Sequence, residues 1–353
     1  MKVGLFFSGI LFISGFAFAE RLGVIDEVLR PQMMKVFDGE LFVVEDHQIY
    51  IYDLKTIKLK KVLGKAGTGP GEFNLDPSRS IVMSVNSRQI VAESRNKIIF
   101  FNREGEYLRE LKKRPTILQT YPIGEHYAVL KIIYGKEGKA YFAVSILDEQ
   151  MNEIKELYRQ KFFTFGNKVY VMPDSLNCGV LDDRLFIEQS PEGFLIKIYN
   201  FEGEEIGSIK RTWEAREVLD LQKKKAFEEL CNIPSMKRVK EEQGMSAFNE
   251  LIKQSNFIYP ETFPAIEHLT VDDEHVYVKT SKALKGKNEF IVFDKEGNER
   301  QVVRLPTTPQ VPFLVRLQGD KKFFSMVDGQ YVYLKLVDVS EEEEYWEVHR
   351  LPL

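Results

Sequence analysis

Glutamates close three short apolar stretches of this chain: Glu45 follows Leu41–Val44, Glu93 follows Ile90–Ala92 and Glu188 follows Leu185–Ile187. Lys279 stands in the corresponding place after Val276–Val278, and Arg95 lies just beyond Glu93. Carboxylates delivered by separate strands can converge on a hard cation such as calcium, which takes oxygen ligands. The same residues, mixed in sign, can instead line the mouth of a binding site. We single out Glu45, Glu93, Arg95, Glu188 and Lys279 as ligand contacts, with no cofactor expected and calcium as the alternative. Solvated carboxylates at strand ends are the plain reading beside both.

Other chemistry is poorly served. Gly67-Thr68-Gly69-Pro70-Gly71 has the glycine density of a phosphate cradle. A P-loop, however, needs Gly-Lys-Ser/Thr opening a helix, and here Glu72-Phe73 and then Pro77 follow, so the segment reads as a connector. The five histidines, at 47, 126, 268, 275 and 349, form no HExxH, and there is no CxxC to partner them. Gly244-Met245-Ser246-Ala247-Phe248 misses the last glycine of a nucleophile elbow. Cys178 and Cys231 are the only cysteines. In an oxidising compartment they could pair, and two buried free thiols are the alternative. Asp182-Asp183 and Asp272-Asp273 read as turns. Glu341–Glu344 reads as a solvated turn or as an acidic contact for a cationic partner.

What must position the candidate residues is a repeat. Apolar stretches run into Asp53, Asn102, Asp148, Asn200, Asp294 and Asp338, at intervals of 44 to 52 residues except for one of 94. Self-similarity at about 40–50 residues marks a propeller or solenoid. In the clearest unit, Ser80–Val85, Gln89–Glu93, Lys97–Phe101 and Glu106–Leu111 are β-prone runs separated by turn residues, with Gly105 in the last hairpin. Second and third strands are apolar at nearly every position, so both faces are covered. Fourth strands alternate charge with Leu, Val and Ile, so one face is wet. That is the profile of a blade stacked on its neighbours around an axis. In the last unit, second and third strands are expected at Phe323–Met326 and Tyr331–Val337.

The long interval holds residues 214–258, which lack strand alternation. Val218, Leu221, Phe227 and Leu230, then Met245, Phe248, Leu251 and Ile252, sit near helical spacing, with Pro234 between two helices. The expected fold class is therefore all-β: a six-bladed β-propeller of four-stranded antiparallel blades, with a helical insertion between blades four and five. The ring closes either by Leu22–Val28 joining the last blade or by Tyr345–Leu351 completing it.

Gly64–Phe73 (GKAGTGPGEF), followed by Ile90–Ile98 and Phe101–Gly105, resembles a blade of the NHL-repeat propellers: a GxGPGxF lead-in, an Arg-Asn turn, then a strand ending in a hydrophobe and Asn. The whole plan, with the segment FPAIEHLTVDDEHVYV after the helices, resembles the secreted bacterial six-bladed propeller proteins. This resemblance implies a fold and a compartment more than an activity. Six-bladed propellers of the gluconolactonase and paraoxonase kind hold a divalent ion in the central channel. They give the calcium alternative its chemistry, a metal-dependent hydrolase or lyase acting on a lactone, ester or peptide amide.

Met1-Lys2, an uncharged and mostly apolar Val3–Phe16, and Ala17-Phe18-Ala19 before Glu20 form the pattern of a secretory signal peptide over residues 1–19. The propeller then occupies 20–353. The net charge of -4 loses only Lys2 on cleavage, and a mildly acidic chain is a poor nucleic-acid partner. Val3–Ala19 is short for a membrane span, and no later uncharged run is long enough. The expectation is a periplasmic or secreted monomer, a rigid platform for a protein, peptide or glycan.

Overall fold

The structure, a computed structural model, describes residues 19–353 except 75–79, 137–138, 165–167, 173, 175, 285–286, 306–323, 328–329, 341–342 and 353. The proposed signal peptide thus lies outside the described residues apart from Ala19. The first strand, β1 (Glu20–Ile25), belongs to the end of the ring. Blade one is β2 (Met33–Phe37), β3 (Glu40–Glu45), β4 (Gln48–Asp53) and β5 (Lys58–Leu63). Blade two is β6 (Val82–Val85), β7 (Gln89–Glu93), β8 (Lys97–Asn102) and β9 (Tyr107–Lys112). Blade three is β10 (Ile117–Ile123), β11 (His126–Tyr134), β12 (Lys139–Leu147) and β13 (Glu153–Thr164). After β14 (Lys168–Tyr170), blade four is β15 (Cys178–Leu181), β16 (Arg184–Glu188), β17 (Phe194–Tyr199) and β18 (Glu205–Arg211). Helices α1 (Asp220–Cys231) and α2 (Pro234–Gln254) and strand β19 (Asn256–Ile258) follow. Blade five is β20 (His268–Val271), β21 (His275–Leu284), β22 (Lys287–Asp294) and β23 (Glu299–Leu305). Blade six is β24 (Phe324–Val327), β25 (Gln330–Ser340), β26 (Glu343–Pro352) and β1.

The sequence pattern dictates this stacking. Successive side chains of a strand point to opposite faces. In β3, Leu41 and Val43 enter the layer shared with blade six, whereas Phe42 and Val44 enter the layer shared with blade two. An apolar residue at every position therefore serves two neighbours. Similar layers seal every seam: Val91 and Tyr127 between blades two and three, Phe142 and Leu185 between three and four. Phe186 and Val276 lie between four and five, and Phe290 and Tyr331 between five and six. Each fully buried side chain of this size contributes about 1.5–3 kcal/mol.

Five of the six repeating Asp and Asn are turn caps, while Asp338 lies within β25, opposite Glu344. Asn102 Oδ1 accepts the Glu106 N–H at 2.7 Å, Asp148 Oδ1 the Asn152 N–H at 2.8 Å, Asn200 Oδ1 the Glu204 N–H at 2.8 Å, and Asp294 Oδ1 the Asn298 N–H at 2.8 Å. Asp53 caps Thr56 in the same way, at 2.8 Å. The residue at the tight corner has positive φ: Gly105, Gly203 and Gly297, with Met151 adopting φ 65° in blade three.

Blade six corrects the register expected from sequence. The segments taken as its second and third strands are its first and second, and β26 is the third. The shift arises because the outermost strand comes from the other end of the chain: β1 pairs antiparallel with β26, from Glu20↔Arg350 to Ile25↔Trp346. Of the two closures open from sequence, the structure takes the one in which the N-terminal segment joins the last blade. Of the Glu341–Glu344 run, read from sequence as a turn, Glu343 and Glu344 open β26 opposite Ser340 and Asp338, and 341–342 lie outside the described residues.

Residues 214–258 are helical in the two parts expected, and Pro234 is the first residue of α2. They are not a free arm. β14 pairs with β19 in parallel, and Leu230 and Ile233 pack on Val171, tying the helices to the connection between blades three and four. Leu221 and Met245, counted toward the helical apolar faces, are instead 79% and 57% exposed. Antiparallel pairing brings the end of each second strand beside the start of the first, as in Cys178↔Ile187 and His268↔Lys279. The candidate residues, the connections between blades and the helical insertion therefore share one face of the ring.

Candidate functional site

On that face four of the five candidate residues act as latches. Glu45 Oε1 accepts the Leu29 N–H at 2.9 Å and also the Arg30 N–H, in the segment leading into blade one. Glu93 lies 2.6 Å from Lys113 Nζ, in the connection between blades two and three, and both side chains are almost fully buried. That contact is one of charge, since neither Glu93 oxygen has a well-aligned hydrogen bond. Glu188 Oε1 accepts from Asn177 N–H at 2.8 Å and from its Nδ2 at 2.6 Å, and Asn177 Oδ1 lies 3.2 Å from His268 Nδ1. Lys279 Nζ pairs with Glu267 at 2.8 Å, just before β20. Arg95 alone is exposed.

The fold thus places these residues on one face, but binds each to its own connection. Among the described residues no three His, Cys, Asp or Glu side chains gather to hold a metal ion. The separate engagement of Glu45, Glu93 and Glu188 does not fit a shared calcium. On the opposite face the turns between first and second strands reach toward one another. Arg88 of blade two meets Asp183 of blade four at 3.2 Å, and Asp183 also accepts the Gly124 N–H at 2.8 Å. Lys35 Nζ of blade one donates to the Val271 carbonyl of blade five at 2.7 Å. Burial lowers the Lys35 ammonium pKa, against the opposing charges of Asp272 and Asp273.

The glycine-rich lead-in is a filled connector. Glu72 accepts the Gly69 N–H at 2.8 Å, and that bond holds its carboxyl below the usual range. The loop closes on Phe73, which is fully buried. Cys178 is buried in the layer between blades three and four, where desolvation pushes its thiol up to about 12. Cys231 sits at the end of α1, its thiol also raised by burial, and both are free thiols.

The open site lies beside the helical insertion. Its stem leaves β18 without regular structure and is braced by the returning chain: Val218 N–H donates to Glu261 O at 2.9 Å, and Phe263 N–H to Arg216 O at 2.9 Å. Between this stem and the far end of β21 runs a groove of about 1000 Å³, with Trp213, Arg216 and Leu219 on one wall and Ser281, Lys282 and Ala283 on the other. A smaller cleft of about 130 Å³ continues it between blades four and five, past Trp213 to Glu289 and Val302. Trp213 packs against the layer between those blades. Lys282 Nζ stands 5.8 Å from the Trp213 ring and the Arg216 guanidinium 4.4 Å from the Phe263 ring, so aromatic faces hold both cations in place. Ser281 is only 4% exposed, and its Oγ has no hydrogen-bond partner among the described residues. None of these residues stood out in the sequence. Trp213, one of two tryptophans, marks the blade boundary there, but its opposite wall is supplied from a different blade.

The sequence pattern of the family DUF5128, described as 6-bladed beta-propeller, matches residues 26–305. The chain belongs to this family. Solved propellers resemble the DUF5128 chain at low identity. A DUF4221 family member from Bacteroides vulgatus shares 12% identity at a TM-score of 0.47, over 95% of this chain and 97% of that one. BamB from Moraxella catarrhalis shares 10% at 0.39, over 95% and 100%. The Pan2 WD40 domain of Neurospora crassa shares 10% at 0.39, over 92% and 75%. No curated protein matches in sequence. At these values the likeness assigns no partner to the DUF5128 chain.

Proposed function

We propose that this DUF5128 propeller is an exported, monomeric binding platform that recognises a partner on the face carrying the helical insertion. One observation carries the reading: a groove of about 1000 Å³ runs between a braced stem and the far end of β21 in blade five. A rigid scaffold that presents loops and an insertion on one face is the usual setting for recognition. In this reading Glu45, Glu93, Glu188 and Lys279 fix the connections that shape the face, and Arg95 is left exposed beside the partner. The sequence pattern over 1–19 supports export, and β1 begins at Glu20, the residue after the expected cleavage point. No helix among the described residues is long and apolar enough to cross a membrane.

Site-specific photo-crosslinking in the native host tests the platform. A crosslinking residue at Leu219 or Gln222 is expected to capture a defined partner, whereas one at Arg88, on the opposite face, is not. Capture from Arg88 alone, or from neither face, removes the proposal. Intact mass of the purified native protein tests export separately, with a chain beginning at Glu20 expected and a chain retaining residues 1–19 counting against it.

A further inference from the structure

We infer that the seam between blades two and three binds a small amphipathic carboxylate, an apolar chain ending in an acid group. The inference goes beyond the platform reading and concerns a different part of the molecule. Blade three faces its two neighbours unequally. On one side of β12, Phe142, Val144 and Ile146 fill the layer shared with blade four. On the other side Ala143 and Ser145 stand opposite Lys131 and Val129 of β11. Two small side chains and a lysine do not fill the space that large apolar residues would, and a cleft of about 370 Å³ lies on this side. Pockets that hold small molecules span about 300–1,000 Å³.

The lining has an apolar part and a charged part. Ile117, Val129 and Leu147 belong to the layer shared with blade two, and they form the apolar part together with Ile133. Lys131 Nζ is paired with Glu153, so these two lining charges cancel. Arg114 and Thr116 come from the connection that enters blade three. The exposed Arg114 guanidinium makes no hydrogen bond, ion pair or ring contact among the described residues, and the Thr116 hydroxyl makes no hydrogen bond there. Arg109 of β9, by contrast, is committed to the Tyr127 hydroxyl at 3.0 Å and the Glu149 carbonyl at 3.1 Å. Arg114 is therefore the uncompensated charge of the cleft.

A guanidinium with all its donors available, beside an apolar floor, complements a carboxylate that carries an apolar chain. The fork of Arg matches the two carboxylate oxygens, and the chain takes Ile117, Val129 and Leu147 out of contact with water. A cationic ligand would meet Arg114 and find the one lining carboxylate, Glu153, already neutralised. A sugar would turn hydroxyls toward the apolar floor without partners, which is costly. Tyr134 is the only strongly exposed large apolar side chain of the lining, too little surface to seat a bilayer. The ligand is therefore a free acid and not a lipid headgroup.

The test titrates octanoate into the whole mature protein by calorimetry at neutral pH, with butyrate, octanol and octylammonium as comparisons. Octanoate is expected to bind at a single site and to slow hydrogen exchange over Arg114–Ile117 and Lys131–Tyr134. Each CH₂ added between butyrate and octanoate should tighten binding about fourfold. Octanol and octylammonium should bind roughly tenfold more weakly than octanoate. Arg114→Gln is expected to weaken octanoate about tenfold and to leave octanol unchanged. Its melting temperature should match the parent, because the side chain is exposed and makes no contact that the fold needs. Arg114→Glu should reverse the preference, so that octylammonium binds more tightly than octanoate. No binding of octanoate, equal binding of octanoate and octanol, an affinity unchanged in Arg114→Gln, or protection confined elsewhere would overturn the inference. Flotation with anionic vesicles in place of binding to the free acid would overturn it as well. Crosslinking at Leu219 is read independently of all these results, so the platform stands or falls separately.

Discussion

Glu93 and Lys113 show how a single charged residue at a strand end becomes structural. Breaking a buried ion pair leaves an uncompensated charge, at a cost of about 3–5 kcal/mol, whereas replacing both members by apolar groups of similar size often costs little. Glu93→Ala is therefore expected to lower stability by about that amount, and Glu93→Leu with Lys113→Met by clearly less, both read from urea unfolding. Gly64 is the second test at this scale. Its φ is +78°, and a Cβ there would lie 2.1 Å from the Phe73 ring. Gly64→Ala should destabilise by about 2 kcal/mol or more, combining backbone strain with overpacking against a fixed aromatic. That Glu45, Glu93, Glu188 and Lys279 share a face was legible, because each follows the apolar run of a second strand, although β21 continues past Lys279 to Leu284. Their partners were not: Lys113, Asn177 and Glu267 sit in irregular connections with no periodic pattern. The unpartnered state of Ser281 is a property of packing alone.

At the scale of the element, the outer hairpins carry a pH dependence. Hydrogen bonds from Thr56 hold the Asp53 carboxyl below its ordinary value, and bonds from Asn152 do the same for Asp148. A depressed pKa contributes stability above the unfolded value of about 3.9, and that contribution is lost as pH falls through the lower folded value. Blades two and four use Asn102 and Asn200 in the same cap without titrating. Asp53→Asn with Asp148→Asn is therefore expected to keep the caps at neutral pH and to flatten the fall in melting temperature below about pH 4. An unchanged acid limb would count against this account. The repeat was readable because these caps recur at a fixed place in blades one to five. β14 and β19 were not readable, since three-residue strands that pair across the whole of blade four leave no local pattern. The shifted register of blade six escaped for a related reason: its fourth strand is the first of the chain.

The whole molecule depends on that closing seam. Ile25 and Val28 are buried in the layer between blades six and one, Trp346 Nε1 donates to Leu29 O at 3.0 Å, and Arg21 pairs with Glu347 at 2.8 Å. On the inner side Val36 N–H donates to Ser325 Oγ at 3.0 Å, across the same seam. Deleting Glu20–Ile25 forfeits the burial of Ile25 and a full ladder, so stability should fall by at least about 3 kcal/mol, with faster hydrogen exchange concentrated in β26. A bond from His349 lowers the Glu347 pKa. The seam should therefore weaken as pH drops below the ordinary carboxylate range, and less so in Glu347→Gln. The pairing of β1 with β26 also sets an order of events. β1 precedes β26 in the chain by more than 300 residues and joins the sheet only through it, so a product that stops short of β26 holds β24 and β25 alone in the sixth blade and leaves β1 with no strand to pair with.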